Sequence, residues 1–177
     1  MTRCGKALAI AALLFSSLLA PSRPAWSAPP QKAPQTAQGV VAELYNLVTF
    51  DAGTTPDWER VRSLFAKEAV VVLRTGREKL TIFTVDGFVG DFVRFIEQSG
   101  VQKTGFTERI LKIKSTEYGD IAHVLVLFDS HIKGAKDPPR QGIDSFQLIR
   151  EAGRWKIISI TNDRPSPGNP IPMTLFE

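Results

Sequence analysis

The chain has 177 residues, 22 bases, 18 acids, a formal net charge of +4 and one cysteine. Three of the bases, Arg3, Lys6 and Arg23, fall in an acid-free N-terminal stretch; the remaining 19 bases face 18 acids, which excludes the basic footprint of a nucleic-acid or anionic-membrane binder. Cys4 lies in the same stretch, so the rest of the chain can use neither disulfides nor thiolates and must hold together by its core.

The first element is an address. Arg3 and Lys6 precede an almost unbroken apolar run from Ala7 to Ala20, shorter than the roughly 20 residues of a membrane-spanning helix. Ala25 and Ser27 occupy the small-residue positions of a signal-peptidase site. The expectation is a signal peptide over 1–27, cut after Ser27 or Ala28, leading to a periplasmic or secreted protein with no membrane attachment after cleavage; uncleaved anchoring is the alternative. Residues 28–38, rich in Pro, Ala and Gln, read as a disordered tether. Residues 39–177 then form one domain, with an extended tail from about 164.

Val41, Leu44, Tyr45 and Val48 keep the spacing of one helical face. A shorter second helix is expected to start at Thr55-Pro56-Asp57, with Thr55 as its cap and Trp58, Val61, Leu64 and Phe65 buried. Ala69–Arg74 and Leu80–Val85 read as a β-hairpin around Thr75–Glu78. Asp86 is placed as the N-cap of a third helix whose apolar side is Phe88, Phe92, Phe95 and Ile96, ended at Ser99-Gly100. From Phe106 the period changes to two, and four strands follow: 106–115, 121–132, 142–150 and 155–162. Helices first and a meander after them define an α+β fold: a strongly curved antiparallel sheet forming a cone, with about three helices on its concave face.

Turn positions and charge divide the sheet faces. Lys112, Lys114, His123, Asp129, His131, Asp144 and Arg150 are costly beneath helices, so the concave side is expected to carry Leu111, Ile113, Val124, Val126, Phe128, Ile143, Ile158 and Ile160. Among them stand Arg109, Ser145, Gln147 and Asn162, polar groups on an apolar wall, which is the composition of a ligand pocket. With Phe128, and with Tyr45 from the first helix, these are the expected ligand-binding residues. The bland alternative is that Ser145 and Gln147 satisfy backbone or water and that Arg109 pairs with Glu43 or Asp91. Leu125, Leu127, Phe146, Leu148, Trp155 and Ile157 fall on the convex side, and that much apolar area suggests a homodimer.

Most chemistry lacks apparatus. His123 and His131 lie about 26 Å apart on one strand, so no metal is expected, and no GxSxG, GxGxxG, phosphate loop or HExxH is present. General acid–base work needs one carboxylate or tyrosine in an apolar cavity. Tyr45 is one candidate; Asp144 and Glu108 fall on the outward set, although a one-residue bulge turns either inward.

Helix, helix, hairpin, helix and a meander ending in Gly153–Thr161 resemble the nuclear-transport-factor-2-like superfamily, also called cystatin-like or SnoaL-like, and within it a group of exported bacterial proteins of unassigned activity. The segments that carry the likeness are Pro56–Trp58 with Leu64-Phe65, Phe106–Glu108, Gly119–Val124, Gly142–Leu148, Gly153–Trp155 and Asn169–Pro172. Two segments depart from that group's pattern: Gln141 stands where an arginine is expected, with Arg140 one place earlier, and Thr161-Asn162 replace an aromatic pair. The resemblance implies a pocket for a small apolar or mixed-polarity molecule and no cofactor. Superfamily enzymes (ketosteroid isomerases, dehydratases, polyketide cyclases) use pocket aspartate, histidine or tyrosine. The expected roles are therefore small-molecule binding first, a cofactor-free isomerase, dehydratase or cyclase second, and a dimeric interaction module third.

Overall fold

The computed structural model describes residues 35–76 and 78–177. The expected signal peptide and its cleavage site, with most of the tether, lie outside the described residues.

Helix α1 (Ala37–Val48) is capped by Thr36, whose hydroxyl accepts from the Gly39 N–H. A two-residue strand β1 (Phe50–Asp51) follows, then α2 (Trp58–Ser63). The α2 cap is Asp57, not Thr55: its carboxylate takes the Arg60 N–H at 2.9 Å. The helix also stops before Leu64-Phe65, because the Leu64 carbonyl accepts from the Ile157 N–H and draws the chain into the sheet as β2 (Phe65–Arg74). Strand β3 (Leu80–Thr84) pairs antiparallel with β2 as expected. Helix α3 (Val85–Ser99) is capped by Thr84 rather than Asp86, which instead meets Arg62 at 2.8 Å. Gly100 ends α3 in the left-handed conformation (φ 71°), where a side chain is strained.

The long strands are β4 (Gly105–Tyr118), β5 (Ile121–Ile132), β6 (Arg140–Glu151) and β7 (Arg154–Asp163). Together with the short strands they form one curved sheet in the order β1-β4-β5-β6-β7-β2-β3, in which only β2 and β7 run parallel. Ala152 and Gly153 turn the β6–β7 hairpin with φ of 48° and 75°, the backbone twist that suits adjacent strands. The α+β cone with three helices over one face is the architecture anticipated from the sequence. Helix α1 lies against β4, β5 and β7, and α3 against β2 and β3. The core between them holds Val41, Leu44 and Tyr45 from α1, Phe88 and Val89 from α3, and Val124, Val126, Phe146, Leu148, Ile157 and Ile160 from the sheet. Complete burial of each large apolar side chain contributes about 1.5–3 kcal/mol.

The assignment of faces needs correction, and two bulges explain much of it. Ile110 pairs with Phe128 and Lys112 with Leu127, so Leu111 is an extra residue in β4. On β7, Ser159 pairs with Gln147 and Ile157 with Leu148, so Ile158 is extra. Each insertion exchanges inward for outward positions along its strand. In addition, Val124 pairs with Phe146 and Val126 with Asp144, so the even positions of β6 face the helices. Phe146, Leu148, Trp155 and Ile157, expected on the convex face, are core residues at 3% exposure or less. The apolar convex area that motivated a homodimer is correspondingly smaller. Part of what remains, around Leu127, borders a surface pocket that the tail residues Pro170, Ile171 and Met173 also line.

Candidate functional site

The mouth and floor of the cone enclose a cavity of about 480 Å³, within the usual range for small-molecule sites. Its wall is aromatic because α3 presents Phe88, Phe92 and Phe95 at helical spacing. Phe92 meets Phe88 at 6.3 Å, Phe95 at 5.8 Å and Phe106 of β4 at 5.7 Å, all edge to face. The Tyr45 ring packs between Phe128 (5.8 Å) and Phe146 (6.4 Å), which fixes the direction of its hydroxyl.

That hydroxyl donates to Asp144 Oδ2 at 2.5 Å, and Asn162 Nδ2 donates to Asp144 Oδ1 at 2.7 Å. Both carboxylate oxygens are thus oriented by donors from α1 and β7. Glu108 of β4 lines the same cavity, anchored at its backbone: its N–H donates to Thr49 Oγ1 at 2.9 Å, and the Thr49 hydroxyl is placed to donate back to the Glu108 carbonyl at 3.1 Å. Gly142 leaves room for the floor, since a Cβ there would lie 2.6 Å from Cζ of Phe128.

Electrostatics follow from burial. The Glu108 carboxyl is pushed up to about 8, by desolvation first and the nearby Asp144 second, with Arg164 opposing. Desolvation also raises Asp144, while its hydrogen bonds from Tyr45 and Asn162 and the charge of Arg164 pull it back. Tyr45 is driven up by burial and by Asp144, so its hydroxyl keeps its proton. Near neutral pH the site therefore combines a neutral acid, Glu108, with a phenol donor and a doubly hydrogen-bonded Asp144. Among the described residues no cluster has the composition of a metal site.

Of the six expected residues, Tyr45, Phe128 and Asn162 line this cavity. Arg109, Ser145 and Gln147 do not. The Leu111 bulge sends Arg109 outward, where it forms a forked pair with Asp129 at 3.0 and 2.7 Å rather than meeting Glu43 or Asp91. Glu43 is held instead by Arg60. Ser145 pairs with Thr161 and Gln147 with Ser159 on the convex face, where Ser145 Oγ meets His123 Nε2 at 3.1 Å. The same shifts bring in Glu108 and Asp144, which the simple alternation set outside. A local trace of both bulges does exist: the adjacent apolar pairs Ile110-Leu111 and Ile157-Ile158 interrupt the alternation at the inserted residues.

The family model for the SnoaL-like domain matches residues 43–161. Solved structures of similar fold include a domain from Thiobacillus denitrificans provisionally named a calcium/calmodulin-dependent protein kinase type II association domain. It is 11% identical, with a TM-score of 0.59 over 77% of this chain and 100% of that one. An uncharacterised cystatin-like protein of Caulobacter vibrioides is 14% identical, with a TM-score of 0.55 over 74% and 88%. A nuclear-transport-factor-2-like protein of Novosphingobium aromaticivorans is 13% identical, with a TM-score of 0.57 over 73% and 81%. At these identities the likeness is one of fold. No curated protein matches the sequence significantly. With its described helices and curved sheet in that arrangement and the family match covering most of the domain, the chain belongs to the SnoaL-like domain family, which has the cystatin-like fold.

Proposed function

We propose that the chain takes a small, mostly apolar carbonyl compound into this cavity and moves a proton on it by acid–base chemistry. The observation that carries the reading is the convergence of Tyr45, Asp144, Asn162 and Glu108 in one apolar cavity. A proton shift next to a carbonyl needs only a base near the C–H and a donor near the oxygen. Asp144, its orientation set on both oxygens, serves as the base. Glu108, neutral at pH 7, donates to the carbonyl oxygen as the enolate charge develops. Returning the proton from Asp144 to another carbon, while Glu108 takes back its own, completes an isomerisation with both groups restored. The expected export of the domain belongs to the same reading and is checked by N-terminal sequencing of the protein from its host.

A second reading is binding without turnover, favoured by the engagement of both Asp144 oxygens within the protein. Incubating 2-tetralone with the protein in D₂O and following deuterium entry beside the carbonyl by NMR separates the two. Catalysis predicts protein-dependent exchange that falls at least a hundredfold in Asp144→Asn, within the usual contribution of a general base. Saturable tetralone binding with no exchange above the buffer rate leaves only the second reading.

A further inference from the structure

The floor of the cavity is acidic and its rim is not. Arg140, at the start of β6, and Arg164, just past the end of β7, line the cavity from solvent-exposed positions at its mouth. Other charges on the rim are engaged with one another: Arg74 meets Asp163 at 2.6 Å, and Asp91 meets Arg94 at 3.0 Å. Neither Arg140 nor Arg164 forms an ion pair with a described residue; Asp137 lines the cavity beside them, and the charge of Arg164 also reaches Glu108 and Asp144 on the floor. Two guanidinium forks thus stand at the opening of an aromatic cavity that ends in two carboxyl groups.

We propose that this mouth recognises a carboxylate, so that the ligand is an organic acid: a polarised oxygen at one end, an apolar middle, and a carboxylate at the other. The inference rests on the cavity being a ligand site and adds its polarity. Orientation follows from charge. A carboxylate driven to the floor would be desolvated there and repelled by the Asp144 carboxylate, while the neutral Glu108 offers it a single donor. At the mouth it keeps part of its hydration and meets planar donors whose spacing matches its two oxygens. The middle of the molecule then lies along Phe88, Phe92 and Phe95, and the oxygen reaches Glu108 and Asp144.

The probes are 4-benzoylbutyrate, which carries a ketone and a carboxylate, and its neutral analogue 4-benzoylbutanamide. Calorimetric titration of the protein at pH 7 and low salt is expected to show the acid binding about tenfold tighter than the amide, the scale of two partly exposed charge pairs. The preference should fall towards unity in 0.5 M NaCl and in the Arg140→Gln, Arg164→Gln double variant. Unchanged amide affinity in that variant shows that the cavity is intact. Equal affinities in the wild-type protein, or a preference that survives the double substitution, overturn the anion mouth while leaving the cavity as a ligand site. Failure of both probes to bind overturns both readings.

Discussion

Glu108 makes the stability of this domain depend on pH in an unusual direction, and replacing it by glutamine should remove that dependence. Burial and the neighbouring Asp144 raise its carboxyl from 4.5 to about 8. Between those two values the folded chain holds a proton that the unfolded chain has released, so unfolding becomes easier as pH rises. Below 4.5 both states are protonated and Glu108 has no effect; above about 8 the cost is constant. Each pH unit in the window corresponds to about 1.36 kcal/mol, so full expression of the preference reaches roughly 5 kcal/mol. The carboxyl borders an open cavity that admits water, which reduces the expected value to about 2 kcal/mol. Glutamine has the shape of the protonated acid and stays neutral. Urea denaturation from pH 5 to 9 should therefore give Glu108→Gln and the wild type similar midpoints at pH 5. At pH 9 the variant's midpoint should lie about 1 M higher, given a slope of roughly 2 kcal/mol/M. Parallel curves across that range, or a wild type that gains stability relative to the variant with rising pH, would refute the assignment of a desolvated, neutral Glu108.

Removing the neighbouring charge with Asp144→Asn should lower the pKa of Glu108, because the Asp144 carboxylate raises it; carbon NMR of the labelled Glu108 carboxyl reads the direction. Thr49→Val deletes the hydroxyl that meets both the N–H and the carbonyl of Glu108, leaving a backbone donor without its partner. A stability loss of about 1–3 kcal/mol, seen in urea midpoints, is expected. Gly142→Ala places a methyl group against the Phe128 ring, so the ring must move into the cavity. The expected result is a loss of about 1–3 kcal/mol together with weaker 2-tetralone binding; a variant with wild-type stability and affinity would contradict the packing described here.

Local chemistry determined the elements of this protein. The 3.6-residue spacing of Val41, Leu44, Tyr45 and Val48 describes α1, the Ser99-Gly100 end of α3 lies where glycine permits it, and the Ala152-Gly153 turn sets the β6–β7 pairing from Arg150 and Trp155 onward. Those signals act over a few residues, and together with the change of period at Phe106 they suffice for an α+β cone. Tyr45, Phe128 and Asn162 were legible as pocket residues for the same reason: each sits in a stretch whose inward phase agrees with its burial. Which face Arg109, Ser145 and Gln147 take was decided by tertiary structure. Inserted residues at Leu111 and Ile158, and the pairing of β5 with β6 across a proline-containing loop, depend on fitting the sheet's curvature beneath the helices. No local preference reports that fit. A shift of one residue costs little in hydrogen bonds yet reverses a whole strand's orientation, which is how two acids expected on the outward face, Glu108 and Asp144, came to line the cavity, with Tyr45 and Asn162 to receive Asp144.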